Sequence, residues 1–183
     1  TVYQAPTPLI FERAHFPLPE SDELIAAGWP RTAQRLARAI LALALREGGL
    51  DLADGSSVSR TNLAQREYHH LFPDAYLQRQ EYDDDAISRA LNCALVTWQT
   101  NRNISDKEPE RYLAERRLPD SPGDAEIRWR LSTHLIPYEE MVAGDYPAFL
   151  QKRAELVRTR MLQLCEGEVP AWPCFRLGSP AFP

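Results

Sequence analysis

Cysteine is scarce: Cys93, Cys165 and Cys174 are the three in 183 residues, and no two stand in a CxxC spacing. An odd number so placed argues against a disulfide framework, rules out a CxxC zinc clamp and fits a reducing cytoplasm. Lysine is scarcer still, at two of the 21 basic residues. No apolar run approaches the roughly 18–20 residues of a membrane helix, and no signal-peptide pattern is present, so no membrane partner is expected. The net charge of −5 discourages a nucleic-acid partner on balance alone. The other 19 basic residues are arginine, whose planar fork suits phosphate and carboxylate alike. At 44% hydrophobic and 26% charged, the chain reads as one soluble globular domain with a usable core. Thr1 in place of methionine reads as a processed product or a piece cut from a larger protein.

Along the chain, residues 1–30 read as irregular, with aromatic plugs at Phe11, Phe16 and Trp29. "RTAQRLARAILALALR", 31–46, has Leu36, Ile40, Leu43 and Ala44 at helical spacing and Arg31, Arg35, Arg38 and Arg46 off that stripe. That basic side reads as solvated, with a DNA-facing side as the alternative. Gly48-Gly49 stops the helix. "DLADGSSVS" is turn-rich, and "REYHH" reads as a short strand broken off by Pro73. Among Asp83, Asp84 and Asp85, one is a helix cap rather than part of an acidic metal site. "CALVTW" is apolar and β-prone, and "TNRNISDK" is turn-like. Pro109 suits the first turn of a helix toward Arg116. "DYPAFLQKRAELVRTRMLQLC" puts Phe149, Leu150, Leu156, Val157, Met161 and Leu164 on one helical face. The tail is too proline-rich for regular structure. His15 and His134 read as ordinary surface or packed histidines, and Asn103 as turn chemistry.

The adjacent pair His69-His70 is the feature that needs an account. Neighbouring side chains in a strand face opposite sides, so the two rings are expected to divide their work. Asn92 follows, and Asn101 stands nine residues after it. A histidine pair on a strand, a turn and short helix, a second apolar strand and a following helix resembles the HNH, or ββα-metal, nuclease family. The stretch "EYHHLFPDAYL … ISRALNCALVTWQTNRNISDKEPERYL" is similar to the nuclease domain of GmrSD-type and SspE-type restriction and anti-phage proteins. The likeness is specific over 66–113 and extends more loosely over 30–165. Two features depart from the family: no Gly-Gly pair precedes Asn92, and Gln99 stands where some relatives carry an acid.

The resemblance implies an α+β, mainly helical chain in which a small ββα-metal core is flanked by helices on both sides. The expected divisions are 1–55 (irregular segment and helix), 56–118 (HNH core), 119–167 (helical part) and 168–183 (proline-rich tail). It implies a metal site of His69 and Asn101, and His70 as the catalytic base that takes a proton from water. Asn92 completes the catalytic set by tying the loop between the strands. Arg102, Lys107 and Arg111 are candidate DNA contacts, against a solvated helix face shared with Glu108 and Glu110. The implied cofactor is a divalent metal ion, Mg2+ first, with Mn2+, Ni2+ or Zn2+ as alternatives. The implied activity is nicking of DNA in a cytoplasmic restriction system, with a ParB-like nucleotidase domain preceding this one in the full-length protein. The competing readings are a non-catalytic DNA-binding or regulatory module on a decayed nuclease fold, and a structural zinc domain.

Overall fold

Two five-residue strands pair around the histidines, and helices close over both faces. The computed structural model describes residues 12–168 apart from 32, 60 and 119–121; residues 1–11 and nearly all of the proline-rich tail, from 169 onward, lie outside the described residues. In chain order the elements are α1 (Ser21–Ala26), α2 (Arg35–Arg46), β1 (Arg66–His70), α3 (Asp74–Gln78), α4 (Asp84–Ile87), β2 (Cys93–Thr97), α5 (Trp98–Ile104), α6 (Pro109–Arg116), α7 (Asp124–Ser132), α8 (Tyr138–Ala143) and α9 (Tyr146–Cys165). The chain is a mainly helical α+β protein.

α1 falls in a stretch expected to be irregular. A reciprocal cap starts it: Glu20 and Glu23 each accept the other's backbone N–H. Two acidic residues in that first turn also suit the positive end of the helix, and Leu24 anchors it in the core. α2 begins at Arg35 rather than Arg31 and buries Ala37, Ile40, Leu41, Leu43 and Ala44. Gly48, at φ 75°, supplies the left-handed residue just past its end.

β1 and β2 run antiparallel, with Arg66 opposite Thr97, His69 opposite Ala94 and His70 opposite Cys93. β2 is buried along four of its five residues because both its faces are covered. Ala94 and Val96 enter the main core, while Cys93 and Leu95 pack with Leu41 and Val58 in a smaller cluster. That main core runs from Leu24 to Val157, so the helices before and after the hairpin share it.

Helix α5 follows β2 without a loop. The polar run "TNRNISDK" reads as a turn in the sequence, but Thr97 closes the strand and caps the helix at once. Its Oγ1 accepts from the Thr100 backbone N–H at 3.2 Å. This junction carries Asn101 back over the hairpin. The turn comes later, at Ser105, whose φ is +51°. In α9, capped by Asp145 through the Ala148 N–H at 3.0 Å, the buried stripe includes Arg153 and Arg160, while Leu156 is only half-buried. Arg153 is almost wholly enclosed and donates to the carbonyls of Leu91 (2.6 Å), Cys93 (3.0 Å) and His134 (3.0 Å). An enclosed guanidinium is costly unless its donors are met; here Nη1 and Nη2 fasten α9 to the start of β2 and to His134, while Nε has no partner among the described residues. Burial still draws its pKa down to about 10.

Candidate active site

Glu67 and His69 are two apart in β1 and share one side of the strand. Asn101, the fourth residue of α5, bonds to both. Its Oδ1 lies 2.7 Å from His69 Nδ1, and its Nδ2 donates to Glu67 Oε2 at 2.6 Å. With the amide oxygen accepting, the His69 proton sits on Nδ1. Nε2 is left buried with no hydrogen-bond partner among the described residues. Burial holds this imidazole neutral, with its pKa lowered to about 4 against the opposing hydrogen bond from Asn101.

His70 ends β1. Its Nδ1 lies 2.9 Å from Asp74 Oδ1 at the start of α3. Its ring stacks on Trp29, with 3.9 Å between centroids and 24° between planes. Donation of Nδ1–H to the carboxylate leaves a lone pair on Nε2, which is buried and also without a partner among the described residues. Burial lowers the His70 pKa, and Asp74 works against that shift. The oxygen that aims this ring is neither a backbone carbonyl nor an amide but a carboxylate four residues on.

The two rings part to opposite sides of β1, as neighbours in a strand should: His69 shares Asn101 with Glu67, and His70 shares Trp29 with Tyr68. His69 and His70 both border one cleft of about 360 Å3, together with Tyr68, Asp74, Asn101 and Asp106.

Asn92 does not face the cleft. It is fully buried and ties the chain after β1 to the chain before β2. Its Oδ1 accepts from the Phe72 N–H at 2.8 Å, and its Nδ2 donates to the carbonyls of Phe72 (3.0 Å) and Ile87 (3.1 Å). Its own carbonyl accepts from the Leu71 N–H at 2.9 Å. Asp51, which the sequence did not single out, performs the matching task at the other end of the hairpin. Fully enclosed, it accepts from the backbone N–H groups of Ala53, Asp54 and Thr97 and from the Thr100 hydroxyl, and Arg66 approaches at 3.5 Å. Burial pushes its carboxyl upward, but those donors outweigh it and the net shift is downward. One carboxylate thereby fixes the first turn of the helix that carries Asn101.

The two convergent donors suit a shared cation. Neighbouring ligands at right angles, each roughly 2.1 Å from an ion, stand about 3 Å apart, close to the 2.7 Å separating Nδ1 and Oδ1. A neutral imidazole can move its proton to Nε2 and turn the Nδ1 lone pair toward such an ion. Glu67 stands beside them through its bond to Asn101. Among the described residues, no group of three or more His, Cys, Asp or Glu side chains gathers as a metal cluster. Gln99, where some relatives in the resembled family carry an acid, is exposed.

The residues expected to meet DNA are placed unevenly. Arg102 is exposed and lies over the Trp98 ring at 5.4 Å. Lys107 and Arg111 both turn to Glu115, at 2.7 and 3.9 Å, the helix-face arrangement weighed against phosphate contact. His134 is packed, its Nε2 2.7 Å from the Leu50 carbonyl. His15 pairs with Glu12 at the surface, and Asp83 caps α4 through the Ala86 N–H. Asn103 is helical, not a turn residue.

No protein-family model matches the chain, and no solved structure does. The chain is similar to an uncharacterized protein of Methanocaldococcus jannaschii, at 23% identity over 119 residues. The match covers 54% of this chain and 20% of that protein, so the chain spans about a fifth of its relative's length. Among the described residues, no helix is long and apolar enough to cross a membrane.

Proposed function

We propose that this chain is a divalent-metal-dependent HNH-type DNA endonuclease domain that cuts one strand per engagement. The observation that supports it is the meeting of His69 Nδ1 and Asn101 Oδ1 at 2.7 Å beside the free Nε2 of His70, on a β-hairpin followed directly by a helix. His69 and Asn101 hold the ion. When bound, the ion neutralises phosphate charge and stabilises the departing 3′ oxygen.

The rest is the work of the chain's own groups. His70, neutral near pH 7 and steadied by Asp74 and Trp29, takes a proton from water at Nε2. The resulting hydroxide attacks phosphorus in line, the P–O3′ bond breaks, the departing 3′ alkoxide takes a proton from solvent water and His70 returns its own to solvent, leaving a 5′-phosphate and a 3′ hydroxyl. Asn92 keeps the chain on either side of the hairpin from separating. We further infer, from the likeness over 66–113, that the domain serves a restriction or anti-phage protein with a preceding ParB-like nucleotidase domain.

Supercoiled plasmid tests the activity. Conversion to open circle with Mg2+ or Mn2+, stopped by chelator, supports it. Tight plasmid binding with no nicking under any divalent ion supports the non-catalytic module instead. A chelator that unfolds the chain supports a structural zinc site.

A further inference from the structure

Many of the arginines sit beside a carboxylate. Arg128 pairs with Asp124 and Glu139, Arg130 with Glu126, Arg158 with Glu20 and Arg160 with Glu47. Arg31, just before α2, and Arg35, its first residue, are different. Arg31, Arg35 and Arg38 are all exposed, α2 contains no acidic residue, and Arg31 and Arg35 make no ion pair with a described residue. The basic side of α2 adjoins the cleft through Tyr68, 46% exposed. Tyr68 borders three depressions: the histidine cleft, a groove of about 470 Å3 lined by Arg35, Arg38, Leu45 and Leu63, and a notch of about 540 Å3 lined by Trp29, Arg31 and Arg38. Trp29 meets the Tyr68 ring edge-on at 6.3 Å while stacking on His70. Beyond Arg31 lies a depression lined by Glu23, Asp84 and Asp85, with Arg89 its one further basic residue.

We infer that Arg31, Arg35, Arg38 and Tyr68 form a track for a single polynucleotide strand leading into the His69–His70–Asn101 cleft, an inference that rests on the nuclease reading of that cleft. The guanidinium forks take successive phosphates. The exposed phenol ring offers a face for a base without regard to its identity. The acidic rim beyond Arg31 repels the strand and bounds the track. Arg102, Lys107 and Arg111 line none of these three depressions.

The full chain is titrated, in chelator so that nothing is cut, into a fluorescein-labelled single-stranded DNA of about 20 nucleotides, at salt concentrations between roughly 50 and 200 mM. Replacing Arg31, Arg35 and Arg38 together by alanine is expected to flatten the slope of log affinity against log salt by about 2, at about 0.7 for each phosphate that an arginine neutralises. The triple lysine variant keeps most of that slope. Tyr68→Ala weakens binding about tenfold with the slope unchanged. Circular dichroism melts of the same variants check that the fold is kept. An unchanged slope in a folded triple-alanine variant overturns the track, and so does a parent chain that binds phosphatidylserine vesicles or polyglutamate but not the oligonucleotide. Plasmid nicking is followed in parallel. Nicking by the parent with no change in the oligonucleotide slope removes the track alone, whereas a changed slope with no nicking by the parent removes the nuclease reading and leaves a strand-binding surface.

Discussion

Asn101 accepts from His69 with its amide oxygen and donates to Glu67 with its amide nitrogen, so one side chain joins β1 to the first turn of α5. Glu67 thereby fixes which end of the amide faces the histidine. Asn101→Ala removes a proposed metal ligand, and Glu67→Ala removes what orients it. Calorimetric titration with Mn2+ is expected to show the first variant losing most of its affinity. The second should lose about tenfold, the usual scale for removing the partner of a metal ligand. Unchanged affinity in Glu67→Ala would separate that carboxylate from the site.

Asn92→Ala is predicted to act on stability rather than on the ion. Three side-chain hydrogen bonds vanish from a fully buried position, leaving the Phe72 N–H and two carbonyls without that partner. The cost is about 3 kcal/mol, read as a lower urea midpoint at unchanged m-value. Its Mn2+ affinity, measured well below the transition, should match the parent's.

Asp51→Ala strips the acceptor from three backbone N–H groups and one hydroxyl and leaves Arg66, itself nearly enclosed, without its carboxylate. Removing one partner of such a buried pair costs about 3–5 kcal/mol. A chain of this size loses about 2–4 °C per kcal/mol, so the melting temperature should fall by about 10 °C.

His134 makes the fold sensitive to acid. Burial lowers its pKa to about 4 from the ordinary 6.5, even though its hydrogen bond to the Leu50 carbonyl favours the charged form. Above pH 6.5 the ring is neutral in both folded and unfolded chains and pH has no effect through it. Below 6.5 the unfolded chain takes up a proton that the folded chain refuses, so stability falls as pH drops from 6.5 toward 4. By pH 4.5 the loss through this residue is about 2–3 kcal/mol. His134→Gln keeps a donor for Leu50 and removes the titration. Its urea midpoint should therefore change less between pH 7 and 4.5 than the parent's does.

The hairpin could be read from the sequence because each strand rests on local pattern, whereas the 69, 70, 92, 101 grouping comes from the resemblance to the HNH family. An apolar β-prone run, a broken polar strand and fixed separations between polar residues are all visible in one dimension. The direct passage from β2 into α5 is hidden because Thr97 serves as strand residue and helix cap together, and the polar run after it looks like a turn. Asp51 and Arg153 are hidden for another reason. Asp51 stands in a turn-rich stretch and Arg153 in an arginine-rich helix, where a solvated side chain is the ordinary expectation; only tertiary packing encloses them. Glu67 and Asp74 do leave a signal, at two residues before one histidine and four after the other. That signal says where a carboxylate could reach, and the fold decides that it does.

The proton-accepting role of His70 is tested most directly by supercoiled-plasmid nicking in Mg2+, with the parent chain and His70→Ala side by side at equal Mn2+ affinity. The account predicts chelator-sensitive open circle from the parent and at least about a hundredfold slower conversion by the variant, the scale of a lost general base. Equal rates from the two chains would contradict it.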